Sequence, residues 1–193
     1  MGDTAILLAG GQSSRMGQLK GLLPWQGRTL FEFQIETLLK SPFSDVITVL
    51  GYRSELFEPI AKNYPVKIIK NNLFHTGKCS SIIAGLKAAG VAQNILISAV
   101  DQPASKQTIE SLYSGHAKEK SLITVPVYKN KRGHPVLFSK LLHQDLLTIK
   151  EESKGLRSIF QKYKNDVLEI PVNDSGILLN LNTLNDYKRA LTK

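Results

Sequence analysis

The stretch Thr4-Ala5-Ile6-Leu7-Leu8-Ala9-Gly10-Gly11-Gln12-Ser13-Ser14-Arg15-Met16-Gly17-Gln18-Leu19-Lys20 decides how this chain is read. Its apolar opening, Thr4 to Leu8, predicts a first β-strand. The run then breaks into glycines and small residues and presents Arg15 and Lys20. Glycines let backbone N–H groups approach an anion closely, and two cations at fixed spacing hold polyphosphate oxygens. The loop is not a dinucleotide fingerprint, because G-x-G-x-x-G is replaced by Gly10-Gly11 and a later Gly17. Nor is it a P-loop, because no Gly-Lys-Ser/Thr follows it. Gly77-Lys78-Cys79-Ser80 imitates the end of a P-loop, but Asn72 stands where the upstream glycine is needed.

Outward from this loop, runs rich in Val, Ile and Leu alternate with helix-period segments. That alternation predicts βαβ units, hence a Rossmann-like three-layer α/β sandwich with a mostly parallel sheet. Thr29-Leu30-Phe31-Glu32 has the form of a capping box and opens a helix to about Lys40. Strands are expected over Asp45–Leu50, Val66–Lys70 and Asn94–Val100, the last nearly all apolar and therefore central. Helices are expected over Ser54–Asn63, despite Pro59, from Ser80 or Ser81 to Ala89, and from Ser105 to Lys118. Leu122–Val127, a turn at Lys129–Gly133 and a return strand at Pro135–Phe138 add an antiparallel part in the C-terminal half. Helices at Ser139–Ile149 and Leu156–Lys164, strands at Val167–Val172 and Ile177–Leu181, and a closing helix at Leu184–Leu191 complete the expected order. No repeat or linker divides residues 1–193, so one domain is expected, with a nucleotide half of about 1–103 and an acceptor half of about 104–193.

Composition bounds the function. Hydrophobic residues make up 42% and charged residues 21%, the balance of a soluble globular protein. The longest apolar runs are far shorter than the roughly 20 residues of a membrane span, and no basic-then-apolar leader is visible. The single cysteine, Cys79, excludes an internal disulfide and fits a reducing cytoplasm. A net charge of +9 admits nucleic acid as a partner, but the lysines are dispersed and lack interleaved aromatics. An anionic small-molecule substrate is the better reading, with no nucleic acid and no membrane.

Three constellations fall at expected strand ends, where open α/β sheets bind their ligands. They are the glycine loop, Asn71 with Gly77–Ser81, and Asp101 in Asp101-Gln102-Pro103. Asp101 reads either as a turn cap or as a Mg²⁺ ligand, since a hard cation takes carboxylate and phosphate oxygens. The loop beside it favours the metal. His134 stands in Arg132-Gly133-His134-Pro135, and the other histidines show no zinc spacing. Cys79 is read as a bystander.

Together these residues resemble the signature of the nucleotidyltransferases that include the molybdenum cofactor guanylyl- and cytidylyltransferases. The likeness is carried by Leu8-Ala9-Gly10-Gly11-Gln12-Ser13-Ser14-Arg15-Met16-Gly17 with Lys20, Leu22, Leu23, Pro24 and Gly27. It continues through Gly77–Ile82, Asp101–Pro103, Gly133–Phe138 and Asn180–Asp186, and so covers about residues 4–190. The resemblance implies that Arg15 and Lys20 bind the triphosphate and that Leu8, Ala9 and Gly10 contact base and ribose. It implies the same nucleotide site for Gly11, Ser13, Asn71, Ser80 and Ser81, a metal held by Asp101 and Asn182, and acceptor contacts from His134 and Asn180.

The implied reaction is Mg²⁺-dependent transfer of CMP from CTP to molybdopterin, the organic part of the molybdenum cofactor, with release of pyrophosphate. Such a transfer needs no covalent enzyme intermediate, only in-line alignment and charge neutralisation, which assigns Arg15, Lys20 and Asp101 the catalytic work. The resemblance also implies a molybdoenzyme partner that receives the product. Gly10, Lys20-Gly21-Leu22 and Asn180-Leu181-Asn182 resemble the guanylyl branch, and Ser153-Lys154-Gly155-Leu156-Arg157 lacks the aspartate of the cytidylyl branch. Asp101-Gln102-Pro103, the Ser80-Ser81 loop and Gly133–Phe138 resemble the cytidylyl branch and tip the reading to CTP. Alternatives are GMP transfer from GTP, an enzyme acting on a sugar or polyol phosphate, and a non-catalytic cofactor carrier.

Overall fold

The computed structural model describes residues 2–13 and 16–192. Its strands are β1 (Thr4–Ala9), β2 (Pro24–Trp25), β3 (Arg28–Thr29), β4 (Asp45–Leu50), β5 (Lys67–Lys70), β6 (Asn94–Ala99), β7 (Ile123–Tyr128), β8 (Lys131–Arg132), β9 (Val136–Ser139) and β10 (Val167–Pro171). The helices are α1 (Leu30–Leu39), α2 (Ser54–Ala61), α3 (Lys78–Ala89), α4 (Lys106–Glu119), α5 (His143–Leu147), α6 (Leu156–Lys162) and α7 (Leu184–Leu191). The main sheet runs β10-β7-β9-β6-β1-β4-β5, with β8 paired to β7. β6 is thus central, as its apolar run predicts. Strands β6, β1, β4 and β5 are parallel, as are β10 and β7. The antiparallel strand β9 is inserted between them, with Asn94 opposite Ser139 and Ile123 opposite Phe138.

Every residue of β1 is buried, because both faces of the sheet are covered. Ala5, Leu7 and Ala9 point to one side, where they pack with Phe31, Ile35 and Leu38 of α1, Phe57 and Ala61 of α2 and Ile109 of α4. Ile6 and Leu8 point to the other, towards Ile82 and Leu86 of α3, Leu146 of α5 and Ile159 of α6. The alternation of one strand therefore builds two cores and the three layers. Each fully buried Leu, Ile or Phe contributes about 1.5–3 kcal/mol of transfer free energy, which fixes the strand between the helix layers.

The capping box of α1 forms as expected: Glu32 N donates to Thr29 Oγ1 at 3.2 Å and Thr29 N donates to Glu32 Oε2 at 2.9 Å. Three local expectations differ. Helix α3 starts at Lys78, not at a serine cap. Gly77 holds φ +118° at its N-cap, a conformation open to glycine, and Cys79 N donates to Glu151 Oε1 at 2.7 Å. Ser80 and Ser81 therefore lie inside the first turn. Residues 177–181 do not form a strand: Ser175–Leu178 is a 3₁₀ turn, because Asp174 Oδ1 accepts from Gly176 N at 2.7 Å while its Oδ2 accepts from Thr108 Oγ1 at 2.8 Å. The Ser139–Ile149 segment splits into a 3₁₀ turn at Lys140–Leu142 and the short α5.

Candidate active site

The parallel strands β1, β4, β5 and β6 end on one edge of the sheet, and the loops that follow them enclose a cleft of about 380 Å³. Its walls carry Leu8 to Ser13 after β1, Ala99 to Asp101 after β6, and Gly77, Lys78 and Ser81 at the start of α3. Lys20, Gly21, Phe57, Phe74 and His75 complete it. The loops after β1 and β4 meet backbone to backbone. Tyr52 N donates to Gly10 O at 3.2 Å, and a Cβ on Gly51 would come within 2.8 Å of that same oxygen. Gly51 is thus required by close approach. A Cβ on Gly10 would meet Gly51 N and Ser81 Oγ at 3.3 Å, a fit that needs the neighbours to yield slightly.

Three predicted residues from distant parts of the chain converge at one end of the cleft. Lys20 Nζ donates to Asp101 Oδ2 at 2.9 Å and to Asn182 Oδ1 at 2.8 Å. Lys20 is anchored by its own backbone, since Lys20 N donates to Ser13 Oγ at 3.2 Å and Leu23 N donates to Lys20 O at 3.1 Å. Asp101 is anchored by Leu181 N, which donates to its carbonyl at 2.9 Å and so draws the 180–182 segment to the sheet edge. The Asp101 carboxylate and the Asn182 amide oxygen are hard donors, and both already face one cation, the Lys20 ammonium. Among the described residues no group of three or more His, Cys, Asp or Glu is disposed to hold a metal. A metal here would take these two oxygens and find its remaining ligands in phosphate and water, the usual habit of Mg²⁺.

Asn71 lies behind the cleft wall, buried, and organises it. Its Nδ2 donates to Ser80 Oγ at 2.9 Å and Ser81 Oγ at 3.0 Å, and its Oδ1 accepts from Leu73 N at 3.0 Å. Ser80 Oγ turns away to Leu73 O and Gly77 O, at 2.9 and 2.8 Å, whereas Ser81 lines the cleft. His134 follows Gly133 in the β8–β9 connection, and its backbone N donates to Ile177 O at 3.0 Å. Burial first, and the Lys78 ammonium second, push its imidazole down to about 4, against the pull of Asp101. His134 is thus neutral at ordinary pH and shares its surroundings with Lys78 and Asp101. Burial, reinforced by the Glu151 carboxylate, pushes the Cys79 thiol up to about 11, so it is no nucleophile. Asn180 lines a second, smaller cavity of about 220 Å³ with Leu178, Asp186 and Arg189. Arg15 lies outside the described residues.

Sequence reasoning did not assign Phe57, Phe74, His75 or Lys78 to the site. Lys78 sits inside the Gly77–Ser81 motif, and Phe74 and His75 lie between Asn71 and Gly77, so their place in the loop was a usable signal. Phe57 carries none, because it reads as the apolar face of α2.

The chain is similar to several known proteins. Nicotine blue oxidoreductase of Paenarthrobacter nicotinovorans is 30% identical over 99% of this chain and 100% of its own length. The molybdenum cofactor cytidylyltransferase of Escherichia coli K12 is 27% identical over 96% of this chain and 93% of its own. A molybdenum cofactor guanylyltransferase of Xanthomonas euvesicatoria is 40% identical over 52% of this chain and 47% of its own. The manganese complex of Rv0371C from Mycobacterium tuberculosis H37Rv shares the fold with a TM-score of 0.82, at 21% identity over 100% of both chains. The MobA-like NTP transferase domain model matches residues 5–167. This chain belongs to the MobA-like NTP transferases, a family of nucleotidyltransferases related to the guanylyl- and cytidylyltransferases of the molybdenum cofactor.

Proposed function

We propose that this protein transfers CMP from CTP to the terminal phosphate of molybdopterin, with Mg²⁺ and with release of pyrophosphate. The observation that carries the reading is the convergence of Lys20, Asp101 and Asn182 beside the glycine loop, at the end of a cleft formed by the parallel strands. The backbone of Leu8–Gly11, with Ser13 and Ser81, receives the nucleotide, and Asn71 and Ser80 serve the nucleotide site from behind by holding Ser81 and the cleft wall in place. Arg15 and Lys20 hold the triphosphate and stabilise the charge that develops on pyrophosphate. Asp101 and Asn182 would hold the metal, which supplies charge neutralisation on the phosphates when bound. The manganese complex of the structural relative supports a divalent cation in this family. His134 and Asn180 bind the acceptor, and the neutral imidazole offers it a hydrogen bond without a charge that titrates near neutrality. The chain acts as one unit, its first 103 residues serving the nucleotide and the remainder the acceptor. It works in the cytoplasm and passes its product to a molybdoenzyme.

The guanylyl relative and Gly10 favour a second reading, GMP transfer from GTP. Gly10 is the weaker support, because its contact with Gly51 favours glycine whatever the base. The decisive assay follows pyrophosphate release with molybdopterin and Mg²⁺, offering CTP, GTP and UTP separately. Release with CTP alone establishes the proposal, release with GTP alone establishes the second reading, and no release with any triphosphate refutes both. The oxidoreductase relative makes a reduced nicotinamide dinucleotide a useful further arm, where no oxidation is expected because the loop lacks G-x-G-x-x-G. Asp101→Ala should abolish turnover and leave the fold intact, and full activity in that variant removes Asp101 from the metal site.

A further inference from the structure

The Lys20 ammonium stands within hydrogen-bond distance of both oxygens assigned to the metal, at 2.9 Å from Asp101 Oδ2 and 2.8 Å from Asn182 Oδ1. The pair is poorly accessible, with the Lys20 and Asp101 side chains only 12% and 23% exposed. A divalent cation bound to the same two oxygens would lie next to the ammonium, and in so poorly hydrated a place two cations repel strongly. One of them must leave. Of the groups concerned, the two oxygens sit on short side chains close to a tied backbone, and so have the shorter reach. The Asp101 backbone is tied to the 180–182 segment through Leu181 N, and Asn182 N donates to Asn180 O at 2.8 Å. The Lys20 backbone is also fixed, by Ser13 Oγ and by the turn at Lys20–Leu22. Its flexible four-carbon stem is the movable part, and it lines the same cleft as the glycine loop.

We propose that Lys20 is a resident cation that exchanges with the metal. In the free protein its ammonium fills the site between Asp101 and Asn182. A divalent cation entering there expels the ammonium into the cleft, where the phosphates of the nucleoside triphosphate receive it. The metal and the triphosphate are thereby coupled through one side chain: the cation alone must displace Lys20 with nowhere favourable for it to go, whereas cation and triphosphate together satisfy every charge. This inference rests on Asp101 and Asn182 being the metal ligands.

The test uses Mn²⁺ alone on the full chain, with free Mn²⁺ read by electron paramagnetic resonance and no nucleotide present. Lys20→Met should bind Mn²⁺ about tenfold tighter than the unaltered protein, the scale of a partly buried ion pair. Lys78→Met removes a charge from the same cleft without freeing either oxygen, and should change affinity less than about threefold. An unchanged affinity in Lys20→Met, or an equal gain in Lys78→Met, overturns the exchange. Adding Asp101→Asn to Lys20→Met distinguishes the two layers: if the double variant keeps the tight binding, the metal-ligand reading itself falls. If instead Asp101→Asn alone abolishes binding and Lys20→Met gains nothing, the ligand reading stands and only the exchange fails. A readout that needs no altered site is the lysine ε-¹³C spectrum of the unaltered protein, in which Mg²⁺ should move the signal that Lys20→Arg removes. A static Lys20 signal at saturating Mg²⁺ also overturns the proposal.

Discussion

Replacing His134 by Gln separates one half-buried imidazole from the rest of the protein's acid response. Burial, and next the Lys78 ammonium, hold the imidazole at about 4 rather than 6.5. The native state therefore refuses a proton that the unfolded chain accepts below about pH 6.5. The sign follows: this contribution is intact above the unfolded value, falls as pH drops from about 6.5 to about 4, and changes no further below that. At about 1.4 kcal/mol per pH unit, moving from about pH 7.5 to about pH 5 costs about 2 kcal/mol through this one residue. Most carboxylates are still ionised at the lower pH. His116, also pushed down by burial, is present in both proteins and cancels in the comparison. Urea unfolding at the two pH values can be followed by the fluorescence of the single tryptophan, Trp25, which is 7% exposed and packs edge-on to Phe33. The unaltered protein should lose about 2 kcal/mol more than His134→Gln between those conditions. Equal losses would refute the reasoning and show that His134 titrates like an exposed histidine.

Three further outcomes are expected. Asn71→Ala removes the donor to Ser80 and Ser81 and strands Leu73 N, so urea unfolding should report a loss of about 1–3 kcal/mol, with a raised KM for the triphosphate. Gly133→Ala drives a Cβ into the Ile177 carbonyl oxygen and its side chain, and should lower stability by about 1–3 kcal/mol while Gly11→Ala, whose Cβ meets nothing, does not. Cys79, with its thiol at about 11, should react with a disulfide reagent at about pH 7.5 at least about a hundredfold more slowly in the native protein than in urea, and comparable rates would contradict its burial beside Glu151.

What the sequence disclosed of this molecule follows physical range. The parallel half was legible because β1, β4 and β6 are apolar runs separated by helices, a pattern that packs as a parallel sheet covered by helices. The capping box at Thr29 and the closing helix Leu184–Leu191 were legible because their signals lie within four residues. Where a partner from far along the chain decides the conformation, the local signal misleads. Ile177–Leu181 has strand composition, but Asp174, tied to Thr108 and Ser105, folds its start into a turn. The serines of 80 and 81 look like caps, but Gly77 and the distant Glu151 take that role. The same distinction divides the site. Lys20, Asp101 and Asn182 were each recognisable from their own motifs, while the fact that one ammonium touches the other two belongs to the fold.

That contact explains why the C-terminal segment returns to the sheet edge. β9 enters between β6 and β7 and reverses the strand direction, so the chain that leaves β10 starts beyond the parallel strands that carry the cleft. It returns through the Ser175–Leu178 turn, whose Ile177 carbonyl accepts from His134 N, and then through Leu181, whose N–H donates to the Asp101 carbonyl. Leu181 is fully buried with Trp25 and Leu30, and Tyr187 of α7 donates a hydrogen bond to the Pro24 carbonyl. The small β2–β3 hairpin just after the glycine loop is therefore the anchor for the far end of the chain. One strap thus touches the backbone of His134 on the proposed acceptor side and the backbone of Asp101 on the proposed nucleotide side. A two-substrate transfer needs the groups that hold donor and acceptor kept at a fixed separation to within fractions of an ångström, and this strap supplies that constraint at the level of the backbone.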